Sequence, residues 1–152
     1  MASFTLEEIE KATGASLLQK GEDAFVEGVS TDTRTISRGE LFIALIGENF
    51  NGHEFLKRAV LSGASAVMIS DASYGKDIDA HVSVFLVKDT KKGLEDLAHF
   101  HRMRFHVPVI GVTGSNGKTT TKDMITSILR TRFHETATEK NFNNEIGLSM
   151  TL

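Results

Sequence analysis

Apolar positions along the chain fall into short clusters with two different spacings, and the two kinds alternate. Thr5-Leu6-Glu7-Glu8 has the form of a capping box, in which a threonine hydroxyl accepts from the backbone and a glutamate three residues on reaches back. Leu6 and Ile9 then share one face of a short helix predicted to end near Gly14. From Gly28 to Arg34 the sequence is strand-like, and Leu41-Phe42-Ile43-Ala44-Leu45-Ile46 is continuously apolar, as a strand buried on both faces should be. The stretch 47–52 is rich in turn formers. Phe55, Leu56, Ala59 and Val60 return to helical spacing, with Gly63 as the stop. Ala66-Val67-Met68-Ile69 and Val84-Phe85-Leu86-Val87 predict two more buried strands, separated by a polar excursion through 71–79. Leu94, Leu97 and Ala98 mark the inner face of a helix from about Thr90 to Met103. Strands alternating with helices predict an α/β fold.

A second unit is predicted after 102–107. The chain's one proline, Pro108, precedes a buried strand, Val109-Ile110-Gly111-Val112, then a glycine-rich loop, then a helix with Met124, Ile125, Ile128 and Leu129 turned inward. A further strand is expected at 135–138, ahead of Asn141-Phe142-Asn143-Asn144-Glu145-Ile146-Gly147. The division expected is 1–105 and 106–152. A nucleotide-binding α/β domain needs several parallel strands with helices on both faces, so the second unit reads as the start of such a domain, cut short. That leaves Val109, Ile110, Met124 and Ile128 uncovered and predicts self-association through the incomplete sheet.

Composition narrows the class. Hydrophobic residues at 40% and charged residues at 24% describe an ordinary globular protein. A net charge of −3 argues against binding nucleic acid through the whole surface, while leaving room for a local anion site. The absence of cysteine excludes disulfides, thiolate zinc and a cysteine nucleophile. The N-terminus lacks a basic patch followed by an apolar run, and no stretch approaches the roughly 18 apolar residues of a membrane span. A cytoplasmic location is the expectation. The six histidines are scattered, and His99 and His101, two apart on a helix, point apart, so no metal cluster is predicted.

The glycine-rich loop carries the chemistry. Gly111-Val112-Thr113-Gly114-Ser115-Asn116-Gly117-Lys118-Thr119-Thr120 joins an apolar strand to a helix. Glycines permit a turn whose amides converge on one place, and the helix that follows adds free N–H groups and the positive end of its dipole. Lys118 is placed to meet the β- and γ-phosphates of a nucleoside triphosphate, and the Thr119 hydroxyl to ligate magnesium. The strict phosphate-loop spacing requires glycine at 112, where this chain has Val112, so the loop is a variant form.

That variant loop resembles the one in the Mur ligases, which build the peptide stem of the bacterial cell wall. Two more blocks agree. Asp32-Thr33-Arg34, followed by Gly39-Glu40-Leu41-Phe42-Ile43-Ala44-Leu45-Ile46-Gly47 and Asn51-Gly52-His53-Glu54-Phe55, is similar to their N-terminal domain, which holds the uridine diphosphate end of the precursor. The block at 141–148 is similar to the asparagine segment behind their loop, in the form found where D-alanyl-D-alanine is added to UDP-N-acetylmuramoyl-tripeptide.

The resemblance implies an ATP- and Mg2+-dependent reaction through an acyl phosphate. It assigns Lys118 and Thr119 to catalysis, and Gly114, Ser115, Asn116, Gly117, Lys118, Thr119, Thr120, Asn144 and Glu145 to the nucleotide, with Thr119 on the metal. Thr31, Thr33, Arg34, Glu48, Asn49 and Phe50 fall to the sugar nucleotide. Arg34 serves the diphosphate or pairs with Asp32, and Glu145 lines the cleft or is a charge at a helix start. The family's second metal carboxylate, modified lysine and amine-binding domain have no counterpart up to Leu152, so the resemblance implies a fragment without ligase activity. The alternatives are another ligase of the superfamily, such as the tripeptide-forming or folylpolyglutamate type, and a non-catalytic module that binds a UDP-sugar.

Overall fold

The computed structural model describes residues 2–138 and 145–151. The elements in chain order are β1 (Phe4–Thr5), α1 (Leu6–Thr13), β2 (Ser16–Gln19), β3 (Phe25–Val26), β4 (Val29–Ser30), β5 (Leu41–Ile43), β6 (Ile46–Gly47), β7 (Phe50–Asn51), α2 (Leu56–Leu61), β8 (Ala66–Ile69), β9 (Ser83–Leu86), α3 (Thr90–Met103), α4 (Lys118–Leu129) and α5 (Glu145–Thr151). Short 3-10 turns precede α2 at Gly52–Phe55 and follow β8 at Ala72–Gly75.

Five strands form the main sheet in the order β2-β9-β8-β5-β4. β4, β5, β8 and β9 are parallel, and β2 runs antiparallel along the outer edge of β9. Because side chains alternate across a strand, the apolar runs serve two cores. Leu41, Ile43, Met68 and Phe85 face one side, with Ile9, Leu94 and Leu97 packed among them. Phe42, Val67, Ile69 and Val84 face the other, under Leu56 and Ala59 of α2. This is the both-faces-covered arrangement the continuous apolar runs predict.

Local signals hold where the chemistry is local. The capping box at α1 is complete, with the Glu8 amide donating to Thr5 Oγ1 at 3.2 Å and the Thr5 amide to Glu8 Oε2 at 2.8 Å. Asp89 caps α3, its carboxylate accepting from the amides of Lys91 and Lys92 at 2.8 and 3.3 Å.

Three expectations are corrected. The apolar run 41–46 is two elements: β5 stops at Ile43, Thr90 Oγ1 donates to the Ala44 carbonyl at 2.9 Å, and Ile46 begins a separate hairpin, 63% exposed. Hydrophobicity marks burial but not the point where a ladder loses its partner. Second, neither 109–112 nor 135–138 pairs with a strand among the described residues; Val109 and Ile110 are 63% and 58% exposed. An extended segment becomes a strand only where a neighbour takes up its backbone groups. Third, α4 has no inward face, burying none of its residues; Met124 and Ile128 lie open to solvent, as expected of a second unit cut short. α5 behaves differently, with Ile146 packed against the core that holds Leu94 and Leu97.

The exit from α3 is tied down by two arginines. Arg102 donates to the carbonyls of Phe105 and Val107 at 2.5 and 2.6 Å. Arg104 donates to the Ser3 carbonyl at 2.7 Å, pairs with Glu8 at 2.7 Å, and lies over the rings of Phe4 and Phe100. No described helix is long and apolar enough to cross a membrane.

Candidate functional site

The glycine loop ends in a left-handed residue. Gly117 caps α4 with φ 77°, and Gly114 has φ 149°. A side chain at Gly117 would meet nothing within 4 Å, so it is the backbone angle and not crowding that calls for glycine there. The amides of Lys118, Thr119 and Thr120 open the helix and have no carbonyl one turn back; the first ladder bond runs from the Thr121 amide to the Gly117 carbonyl at 2.9 Å. Lys118 folds back over the turn, its ammonium donating to the Gly114 carbonyl. Residues 113–120 are all exposed. A cation, helix amides and a dipole end thus meet at one accessible turn, an arrangement that binds a multiply charged phosphate. Thr119 sits beside Lys118 in the first turn of α4. Its hydroxyl is a neutral, hard oxygen donor, which suits a magnesium ion otherwise ligated by phosphate oxygens and water. Of the other two residues expected here, Asn144 lies outside the described residues, and Glu145 begins α5.

The second candidate set hangs from the sheet. β4, β5 and β8 run parallel, so the segments that follow them leave from the same end of the sheet, the carboxyl end where open α/β sheets receive ligands. After β4 comes the turn holding Thr31, Thr33 and Arg34. The Ser30 hydroxyl donates to the Asp32 carbonyl at 3.1 Å, which also accepts from the Thr35 and Ile36 amides at 3.2 and 3.1 Å. Asp32 takes the Arg34 amide at 2.9 Å and its guanidinium in a fork, Nε at 2.9 Å and Nη2 at 2.5 Å. Arg34 therefore pairs with Asp32, one of its two expected roles. That guanidinium, and next the Arg34 amide, draws the Asp32 carboxyl down to about 2.

A pH prediction follows. A carboxyl depressed in the fold contributes stability that is present above its free value of 3.8 and is lost as pH falls to about 2. Because the pair is exposed, the global effect is small, and the place to see it is the residue. Carbonyl-detected NMR should find Asp32 titrating near 2, and Arg34→Ala should return it towards 3.8.

After β5 comes the hairpin β6–β7, with Glu48-Asn49 as its two-residue loop. Glu48, Asn49 and Phe50 are exposed, and the Phe50 ring stands 5.9 Å from that of Phe55. The hairpin is pinned at Gly52, whose amide donates to the Leu45 carbonyl at 2.7 Å and where a Cβ would come within 2.6 Å of the same oxygen.

His53, which sequence reasoning left among scattered histidines, is buried at 3% exposure under this hairpin. Its Nδ1 lies 2.8 Å from Asn51 Oδ1 and its Nε2 accepts the Ser70 amide at 2.9 Å. The signal available was Asn51-Gly52-His53, an asparagine placed to cap a turn two residues on, as its Oδ1 does for the His53 amide at 3.1 Å. The structure thus gathers 31–34, 48–50 and His53 at one end of the sheet, and sets 114–120 on the segment beyond α3.

Residues 25–102 match the family described as "Mur ligase family, catalytic domain", and residues 112–152 match "Mur ligase middle domain". The chain is 46% identical, over 131 residues, to the UDP-N-acetylmuramoyl-tripeptide–D-alanyl-D-alanine ligase of Bacillus subtilis, covering 86% of this chain and 28% of that protein. A crystal structure of MurF from Acinetobacter baumannii superposes with a TM-score of 0.87 at 30% identity, covering all of this chain and 34% of the other. MurF ligase from Thermotoga maritima in complex with ADP gives 0.71 at 31% identity, covering 82% of this chain and 28% of that one. The chain spans about a third of the length of the relatives it matches.

Proposed function

Because the chain belongs to the Mur ligase family, we propose that it carries the sugar-nucleotide grip and the ATP loop of a ligase that joins D-alanyl-D-alanine to UDP-N-acetylmuramoyl-tripeptide. The observation that carries this reading is the Lys118 ammonium folded back onto the Gly114 carbonyl, beside left-handed Gly117 at the start of α4. We divide the labour at 1–105 for the sugar nucleotide and 106–152 for ATP, in the cytoplasm.

The chemistry is activation of a carboxylate. The precursor's terminal carboxylate attacks the γ-phosphorus of ATP, giving an acyl phosphate and ADP; the amine of D-alanyl-D-alanine then takes the acyl carbon and phosphate leaves. Lys118 releases the Gly114 carbonyl and moves onto phosphate oxygens, offsetting charge as the β–γ bond breaks. The amides of 117–120 hold the phosphates in line, and Thr119 would hold magnesium, which neutralises phosphate charge when bound. Thr31, Thr33 and the hairpin loop Glu48-Asn49 hold the sugar nucleotide, with Phe50 as an apolar wall. Arg34 spends Nε and Nη2 on Asp32, leaving Nη1 of its five-donor fork for the diphosphate.

Calorimetry with UDP-N-acetylmuramoyl-tripeptide and with magnesium ATP, titrated separately, tests this. Both should bind. Neither binding sinks the proposal. Sugar nucleotide alone would favour a non-catalytic module, a reading that draws on the two buried cores lying within the main sheet while α4 buries nothing.

A further inference from the structure

His53 is the one buried titratable side chain among the described residues, and every proton on and around it is fixed by elimination. The His53 amide can only donate, so the Asn51 atom it meets at 3.1 Å is the carbonyl oxygen and not the amide nitrogen. That oxygen can only accept, so Nδ1, 2.8 Å away, carries the ring hydrogen. The Ser70 amide can only donate, so Nε2, 2.9 Å from it, is bare. The imidazole is therefore neutral, with both nitrogens occupied, and burial holds its pKa below the ordinary histidine value.

These bonds join two of the segments at the carboxyl end of the sheet. Asn51 closes β7, the strand returning from the Glu48-Asn49 loop through Phe50. Ser70 is the first residue past β8. Asn51 also donates from Nδ2 to the Tyr74 hydroxyl at 3.4 Å, and the Tyr74 ring lies 4.9 Å from the imidazole. The hairpin has only two bridged residue pairs of its own, too few for a stable isolated ribbon. Its placement depends on Gly52 and on this side-chain weld.

We propose that His53 is a positioning residue for the sugar nucleotide, acting through Asn51 to hold Glu48, Asn49 and Phe50 in the binding arrangement. This rests on the function proposed above. Loss of the ring leaves the part-buried Ser70 amide without its partner and leaves Asn51 Oδ1 with the His53 amide alone. Protonation has a similar effect, since an Nε2–H would face the Ser70 amide donor to donor. The charged and titratable groups facing the ring are Asp71, whose carboxylate favours the charged form, and Tyr74; burial outweighs Asp71.

The test uses the 152-residue chain and UDP-N-acetylmuramoyl-tripeptide, with magnesium ATP as the control ligand. His53→Ala should weaken sugar-nucleotide binding by about tenfold, roughly 1.4 kcal/mol, with ATP affinity unchanged. His53→Gln, whose amide oxygen can accept from Ser70, should recover part of that loss. Wild-type affinity for the sugar nucleotide should fall as pH drops below the ordinary histidine value of 6.5, and that of His53→Gln should stay level. A wild-type chain that binds, with His53→Ala binding equally well, overturns the positioning role alone. A wild-type chain that does not bind the sugar nucleotide overturns the underlying reading and this one with it. If His53→Ala does not fold, the His53→Gln affinity and the two pH profiles decide, and parallel profiles overturn the proposal.

Discussion

Replacing Lys118 with alanine is expected to cut affinity for magnesium ATP by between about tenfold and about a hundredfold, the range set by the roughly 1.5–3 kcal/mol of a hydrogen bond to a charged group. Thermal stability should not move. The only bond the ammonium makes in the described structure is to the Gly114 carbonyl, on an exposed turn, and alanine is at least as good a helix former as lysine. Affinity for the sugar nucleotide should also stay constant, because Thr31, Arg34 and the hairpin lie at the end of the main sheet. Lys118→Arg should not restore ATP binding fully, since a planar fork does not substitute for a compact ammonium at the glycine turn. Equal ATP affinity in wild type and Lys118→Ala would remove the loop from the proposed function altogether.

The largest stability effect is expected at Phe85. Its side chain is fully buried on β9, in the core with Leu41, Ile43 and Met68. Phe85→Ala removes a large apolar volume from a close-packed layer and should cost about 3–5 kcal/mol. Domains have about 5–15 kcal/mol of stability in total, so the variant should melt some tens of degrees lower or fail to fold, as circular dichroism would show. Ile128→Ala is the matched control. At 70% exposure on α4, it should shift stability by less than about 0.5 kcal/mol. A large effect at Ile128 with a small one at Phe85 would mean that the cooperative core has been misplaced.

How far the sequence announces this molecule depends on how local each signal is. The capping box at Thr5, β8 at Ala66–Ile69 and α3 at Thr90–Met103 are set by spacing and near neighbours, and were readable in outline. So was the glycine turn into α4, because Gly117 acts through backbone angle and Lys118 through adjacency. The two-residue strands β1 and β3 were not readable, since Phe4 and Val26 find each other across 22 positions with too few residues for a period. The split of 41–46 was hidden because Thr90, which takes the Ala44 carbonyl, is 46 positions away. His53 was missed for the same reason: its meaning comes from Ser70, 17 residues on. The segment 109–112 failed in the opposite direction, an apolar run that supplies propensity without a neighbour to pair with.

The arginines at the end of α3 bear on where motion can start. With Arg102 bridging the carbonyls of Phe105 and Val107, and Arg104 seated between Phe4 and Phe100, the helix is extended as a stiff boom past its last turn. Any swing of the glycine turn at 114–117 relative to the sheet must then pivot at Pro108 or later, where no such strut reaches among the described residues.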